Sequence, residues 1–204
     1  RSFNKAMPEE LNRICTDHVS DLLLCPTQEA ITQLKKEGIV NGVHHVGDVM
    51  YDAAVTFGRI ADDSSDILRK LALTDKGYLL VTCHRAENTD DPQRLTAIFE
   101  ALASLSKVDS PVVLPLHPRT RTRLAAQGIA PESLGLKILP PISFLDMVAL
   151  EKHAHAILTD SGGVQKEAYF HSVPCVTLRD ETEWVETVSA GWNSLVGANT
   201  EKIV

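Results

Sequence analysis

Two segments of the sequence place reactive residue types at spacings that suit chemistry. The first is Leu158-Thr159-Asp160-Ser161-Gly162-Gly163-Val164-Gln165-Lys166-Glu167-Ala168, where a strand ends, two glycines turn the chain and a helix begins. Glycines let a backbone approach a ligand closely, and free N–H groups at a helix start favour an anion. Ser161 adds a hydroxyl donor, and Glu167, about one helical turn in, is placed to accept both hydroxyls of a ribose. Phosphate binding is the chemistry this suits, although a plain strand-to-helix turn also uses Gly-Gly. The second segment, Val81-Thr82-Cys83-His84-Arg85-Ala86-Glu87-Asn88, puts His84 and Arg85 at a strand's carboxyl end, where open α/β sheets bind ligands. A His beside an Arg near a phosphate can carry a proton or donate to the phosphate; a surface polar loop is the bland alternative. Two such loops in one series of strands point to a nucleotide site.

Three further groups carry weaker signals. Leu116-His117-Pro118-Arg119-Thr120-Arg121 is a third strand-end loop, suited to phosphate but equally to a solvated helix start. Pro140-Pro141-Ile142-Ser143-Phe144 is a stiff turn that can present an aromatic face to a base, or simply connect two elements. His153 and His155 straddle a helix-to-strand boundary, are expected to lack a nearby carboxylate and read as structural; so does His44-His45 in a strand. No metal site follows from any of them.

The elements that must position these residues alternate short apolar runs with helix-period stretches, the pattern of a parallel α/β protein. The first sixty or so residues give helix 8–18, strand 21–25, helix 27–37, strand 43–46 and a helix to Ala61. Thr27 is a helix cap and Gly38 a helix stop. Asp62-Asp63-Ser64-Ser65 reads as a polar connector before a helix over 65–73. From Tyr78 onward come strands at 78–82, 112–116, 137–139, 156–158, 175–178 and 194–196, separated by helices at 92–106, 119–127, 144–152, 164–171 and 183–190. That is a doubly wound, Rossmann-like lobe of nearly full size. The division expected is 1–61 as the tail of another lobe, 62–76 as linker and connecting helix, and 77–204 as the ligand-binding lobe.

Composition narrows the function classes. The 204 residues are 44% apolar and 23% charged, which is globular rather than disordered. No apolar run approaches membrane-spanning length. Twenty Lys+Arg against 27 Asp+Glu give a net charge of −7, which argues against a nucleic-acid partner. The four cysteines are scattered without a CxxC pair, as expected of a reduced, cytoplasmic protein without disulfides. The opening Arg1-Ser2-Phe3-Asn4 is neither an initiator Met nor a signal peptide and reads as the start of a fragment.

Five segments together resemble the non-hydrolysing UDP-N-acetylglucosamine 2-epimerases, of GT-B architecture. They are Pro8-Glu9-Glu10-Leu11-Asn12-Arg13, Val46-Gly47-Asp48, Thr82-Cys83-His84-Arg85-Ala86-Glu87-Asn88, Asp160-Ser161-Gly162-Gly163-Val164-Gln165-Lys166-Glu167 and Arg179-Asp180-Glu181-Thr182-Glu183. They fall in the family's order across the whole chain. The resemblance implies the C-terminal lobe of a GT-B fold plus a remnant of the N-terminal lobe. It implies interconversion of UDP-GlcNAc and UDP-ManNAc, for surface polysaccharide precursors, by elimination and re-addition of UDP, without cofactor or metal. It further implies Glu9 and His84 as catalytic groups, and Arg85, Phe144, Ser161, Gly162, Gly163 and Glu167 as UDP-binding groups. His117 would make a phosphate or second-site contact. The partner implied is a UDP-sugar, not a nucleic acid or membrane, and the full-length enzyme would be a homodimer.

Two departures qualify this. Family chains are longer and supply further carboxylates upstream, so this chain alone is expected to be inactive. Trp184 stands where many members carry Arg, which opens a 3-acetamido or uronic-acid relative of UDP-GlcNAc as substrate. A GT-B glycosyltransferase and a non-catalytic UDP-sugar-binding module are the rival readings. Pro8-Glu9-Glu10 and Cys83-His84-Arg85 favour the epimerase over the transferase.

Overall fold

The computed structural model describes residues 3, 5, 8–106 and 110–204; Arg1, Ser2 and Asn4 of the opening segment lie outside the described residues. The chain divides into two compact units, Arg1–Asp52 and Ala53–Val204.

The first unit holds α1 (Pro8–Val19), β1 (Leu23–Cys25), α2 (Gln28–Lys36), β2 (Val43–His45) and the start of α3 (Val49–Ser64). Pro8 opens α1 with Glu9 and Glu10 in the first turn, where proline tolerates the missing N–H and acids complement the helix dipole. Thr27 caps α2 by accepting the Ala30 N–H at 3.2 Å. β1 and β2 pair in parallel, Leu23 beside Val43, over a small core of Leu23, Cys25 and Leu34. Leu24, pointing to the opposite face of β1, is exposed. Two strands and one helix layer cover one face only.

The second unit contains the end of α3 and α4 (Ile67–Lys70), then β3 (Leu79–Thr82), α5 (Ala86–Thr89), α6 (Pro92–Leu105), β4 (Val112–Pro115), α7 (Pro118–Ala126) and a 3-10 turn at Pro131–Leu134. It continues with β5 (Lys137–Leu139), α8 (Phe144–His153), β6 (Ala156–Thr159), α9 (Gly162–Phe170), β7 (Cys175–Thr177), α10 (Val185–Ser189), β8 (Asn193–Leu195) and α11 (Thr200–Ile203). Six strands form one parallel sheet in the order β5-β4-β3-β6-β7-β8. Counted within the unit this is 3-2-1-4-5-6, the dinucleotide-binding order, and its switch point lies between β3 and β6. The near-continuous apolar runs of the strands follow from burial on both faces. Leu80, Val113 and Ile157 join one core cluster, while their neighbours Val81, Val112, Leu114 and Leu158 join the other.

Three local expectations change. The run at 62–65 is not a connector: α3 continues through Ser64, because the Asp62 carboxylate pairs with Lys152 and with His153, at 3.2 Å, from α8. The helix expected over 65–73 shortens to α4. His153, read as lacking a carboxylate, lies between two of them, Asp62 and Asp75 (2.8 Å). Tertiary partners about eighty to ninety positions away override the local polar signal there.

Candidate functional site

At the switch point the last residues of the two central strands face each other. Thr82 and Thr159 are in register, and their buried hydroxyls share a 2.6 Å hydrogen bond. Beyond Thr82 the chain continues as Cys83-His84-Arg85 and caps α5 at Arg85. Beyond Thr159 it continues as Asp160-Ser161 and enters α9 directly at Gly162. The two glycines are therefore the first residues of the helix, not a loop before it. Ser161 is the cap: its hydroxyl accepts from Val164 N–H at 3.5 Å, and its own N–H donates to Thr159 Oγ1 at 2.9 Å. His84, Arg85, Ser161, Gly162 and Gly163 are thus brought together by two adjacent strand ends. Free helix-start N–H groups, a His and an Arg make a site for an anionic group.

Gly162 has a steric reason as well. A Cβ built there would lie 2.8 Å from Glu183 Oε1 and 3.4 Å from Trp184 Nε1. Glu183 is held by Arg179 Nη1 at 3.0 Å, and the Arg179 side chain is fully buried. Burial pushes the Glu183 carboxyl up, but a backbone hydrogen bond and the Arg179 and Arg85 charges outweigh it and hold the group below the usual carboxylate range. Trp184 stacks on the Lys166 ammonium, 4.2 Å from the ring centroid. The 182–184 segment is fastened to α9 a second time, where Thr182 Oγ1 donates to Gln165 Oε1 at 2.7 Å.

Glu167 lies further along α9 and is half-buried. Burial raises its carboxyl from the ordinary range. Glu151 on α8, only 2% exposed, is raised well above that range by burial and by the charge of Glu167. Two carboxyls sharing a dry region do not ionise together.

The remaining candidates sit elsewhere. His117, exposed at the end of β4, caps α7: its Nδ1 accepts from Arg119 N–H at 3.2 Å. Nearby, Arg119 and Arg123 hold Asp90 at 2.6 and 2.9 Å, so this loop's cations already have carboxylates. Phe144 begins α8 and meets Phe57 of α3 edge-on at 5.1 Å. Glu9 is an exposed first-turn residue of α1 in the first unit. Its neighbour Glu10 is the buried one, paired with Arg13 at 2.8 Å.

Sequence reasoning quoted Asp160, Arg179 and Glu183 within motifs but gave them no role, and it passed over Glu151 and Phe57. An acid closing an apolar strand was a usable signal for Asp160. The others act through partners invisible along the chain. Among the described residues, no group of three or more His, Cys, Asp and Glu side chains is arranged to hold a metal ion. Nor is any described helix long and apolar enough to cross a membrane.

Known proteins resemble this chain along its whole length. Residues 1–204 match the family model described as UDP-N-acetylglucosamine 2-epimerase. A Methanococcus maripaludis protein named as a homolog of that enzyme is 48% identical over 208 residues, covering 100% of this chain and 57% of its own length. A Pseudomonas aeruginosa UDP-2,3-diacetamido-2,3-dideoxy-D-glucuronate 2-epimerase is 50% identical over 207 residues, covering 100% and 56%. The Methanocaldococcus jannaschii UDP-GlcNAc 2-epimerase, solved with UDP-GlcNAc and UDP, superposes with a TM-score of 0.91 at 41% identity, covering 100% of this chain and 57% of that one. The chain spans just over half the length of these relatives. With a match along all of its residues, it belongs to the UDP-N-acetylglucosamine 2-epimerase family.

Proposed function

We propose that this chain carries the UDP-binding unit of a non-hydrolysing epimerase that inverts C2 of a UDP-linked 2-acetamido sugar. The observation that supports this best is the convergence of His84, Arg85 and the Ser161-Gly162-Gly163 helix start at the switch point. In this reading the α9 N–H groups, Ser161, His84 and Arg85 hold the diphosphate, Glu167 accepts the ribose hydroxyls, and Phe144 lies against the base. A base takes the C2 proton, the C1–O bond breaks with its electron pair leaving on UDP, and a C1=C2 double bond forms. UDP then re-adds at C1 while C2 receives a proton on its other face. Stabilising the departing diphosphate falls to the groups of this unit, and acid/base work to Glu9 together with His84.

The substrate is UDP-GlcNAc or a close relative of it. A modified sugar is favoured by one feature: Trp184, stacked on the buried Lys166 next to Gly162, stands where the resemblance implies an Arg in many members. The Pseudomonas relative, named for a diacetamido uronate, supports the same alternative. Calorimetry of the 204-residue chain with UDP, UDP-GlcNAc and UDP-2,3-diacetamidoglucuronate tests both points. Absence of UDP binding would remove the reading. Tighter binding of the uronate than of UDP-GlcNAc would select the modified substrate. C2 proton exchange in deuterated water tests activity: the chain alone is expected to give none above a no-protein control, because groups are needed on both faces of the sugar.

A further inference from the structure

Asp160 separates β6 from the Ser161 cap, and its side chain is fully buried. Its carboxylate reaches across to the end of the neighbouring strand. The His84 N–H donates to both oxygens, at 3.1 and 3.0 Å, and the Arg85 N–H donates to Oδ2 at 3.0 Å. Asn88 Nδ2 adds a third donor to Oδ2 at 3.2 Å and also donates to Leu178 O at 2.9 Å. The other oxygen, Oδ1, faces the imidazole of His84, with Nδ1 at 3.8 Å, while about half of that side chain is open to solvent. A buried carboxylate is costly unless its lone pairs are satisfied. Here two main-chain amides and the Asn88 amide meet most of them, the Cys83 thiol hydrogen-bonds the same carboxyl, and Oδ1 also faces the imidazole of that loop. The Thr82–Thr159 bond already ties the two strands together, so strand cohesion does not require this anion.

We propose that Asp160 is the positioning residue of His84: it fixes the loop through two main-chain amides and accepts a hydrogen bond from Nδ1–H, so that Nε2 is presented outward to the bound diphosphate. The inference rests on reading His84 as a site residue. A short rotation of the imidazole closes 3.8 Å to hydrogen-bond length, a tightening common when a ligand fills a site. The partner of one ring nitrogen sets which nitrogen carries the proton.

Asp160→Asn separates this role from a structural one. Three donors converge on the Oδ2 position, so the amide oxygen must take it, and the amide NH₂ then occupies the Oδ1 position facing His84. Shape is kept and the hydrogen bond is reversed: Nδ1 becomes an acceptor and the proton moves to Nε2. An Asp-to-Asn change behind a catalytic histidine acts this way in the serine-protease triad. The readout is the ¹⁵N spectrum of His84 at about pH 9, above the range where imidazoles ordinarily titrate. Wild type should show a protonated Nδ1, with strongly downfield amide protons at His84 and Arg85. The Asn variant should show a protonated Nε2 and, at neutral pH, bind UDP about tenfold more weakly, since the imidazole loses the carboxylate that orients it toward the diphosphate. A bare Nδ1 in the wild-type chain, with or without UDP, would overturn the inference even if the variant failed to fold. If wild type does not bind UDP, the functional reading falls, while the spectrum of the free chain still decides the role of Asp160.

Discussion

Replacing Glu167 by Gln tests the ribose assignment through a pH signature that a merely structural residue would not produce. Glu167 on α9 is half-buried, and Glu151 on α8 is almost wholly buried. Burial raises both carboxyls, Glu151 further because the Glu167 charge adds to it. As pH rises, Glu167 therefore loses its proton first and Glu151 retains the one that remains. Only ionised Glu167 can accept from both ribose hydroxyls without a proton in the way. Hydrogen bonds to a charged group are worth about 1.5–3 kcal/mol. Glu167→Gln should therefore weaken binding roughly 10- to 150-fold where the wild-type carboxyl is ionised.

The sign of the pH effect follows directly. Ligand binds the deprotonated form, so wild-type affinity falls as pH drops through the raised Glu167 range, by at most about tenfold per unit for one linked proton. The Gln variant has nothing to titrate there and should stay flat. The two curves should converge at acid pH and separate toward neutrality. UDP-GlcNAc is the ligand to use, because the terminal phosphate of free UDP would itself titrate near pH ~6. Calorimetry between pH 4.5 and 8 gives both curves. Parallel curves, or equal affinities at pH 8, would refute the assignment of Glu167 to the ribose.

Three other outcomes are expected. Gly162→Ala drives a methyl against Glu183, which Arg179 holds in place; overpacking of about 1–3 kcal/mol should lower Tm by several degrees, and an unchanged melt would mean the 182–184 segment gives way freely. His84→Ala, in a protein of the relatives' full length, should cut turnover by about 10²–10⁴ with an unaltered melt, whereas near-normal turnover would exclude it as proton carrier. Because the Glu151 carboxyl is raised in the fold, the native state binds the extra proton, and stability should decline as pH rises above the ordinary carboxylate range; Glu151→Gln should flatten that slope, and identical Tm-against-pH profiles would refute it.

The strand-helix alternation was legible because its signals are local. Runs such as Val112 to Leu114 are apolar on both sides of the pleat, and Thr27 is a cap readable from one position. Limits blurred where local and tertiary signals disagree. Gly162 and Gly163 look like a turn, yet the Ser161 cap draws them into α9 and leaves their N–H groups at its mouth. Asp62 and Asp63 look like a connector, yet Lys152 and His153 hold the end of α3 through Asp62. The four-residue α5 is too short to carry a period at all.

The candidate site divides along the same line. The residues proposed to face the ligand, His84, Arg85, Ser161 and the two glycines, lie in two short contiguous segments, since a parallel strand delivers its next residues to one edge of the sheet. The residues that hold them come from far along the chain: Asp160 lies 76 positions from His84, and Arg179 and Glu183 close on Gly162 only through the fold. Their types carry the logic even so. Each carboxyl packed around the site is matched differently: Asp160 by main-chain N–H groups and the Asn88 amide, Glu183 by a buried guanidinium, while burial and the Glu167 charge raise Glu151. Acids that are each partnered within the fold, behind a site whose own donors favour anions, leave the cations and N–H groups at the mouth to meet a diphosphate. Exchanging any one carboxyl for an amide therefore tests a different property, whether tautomer, loop position or proton count, with the outline of the site kept.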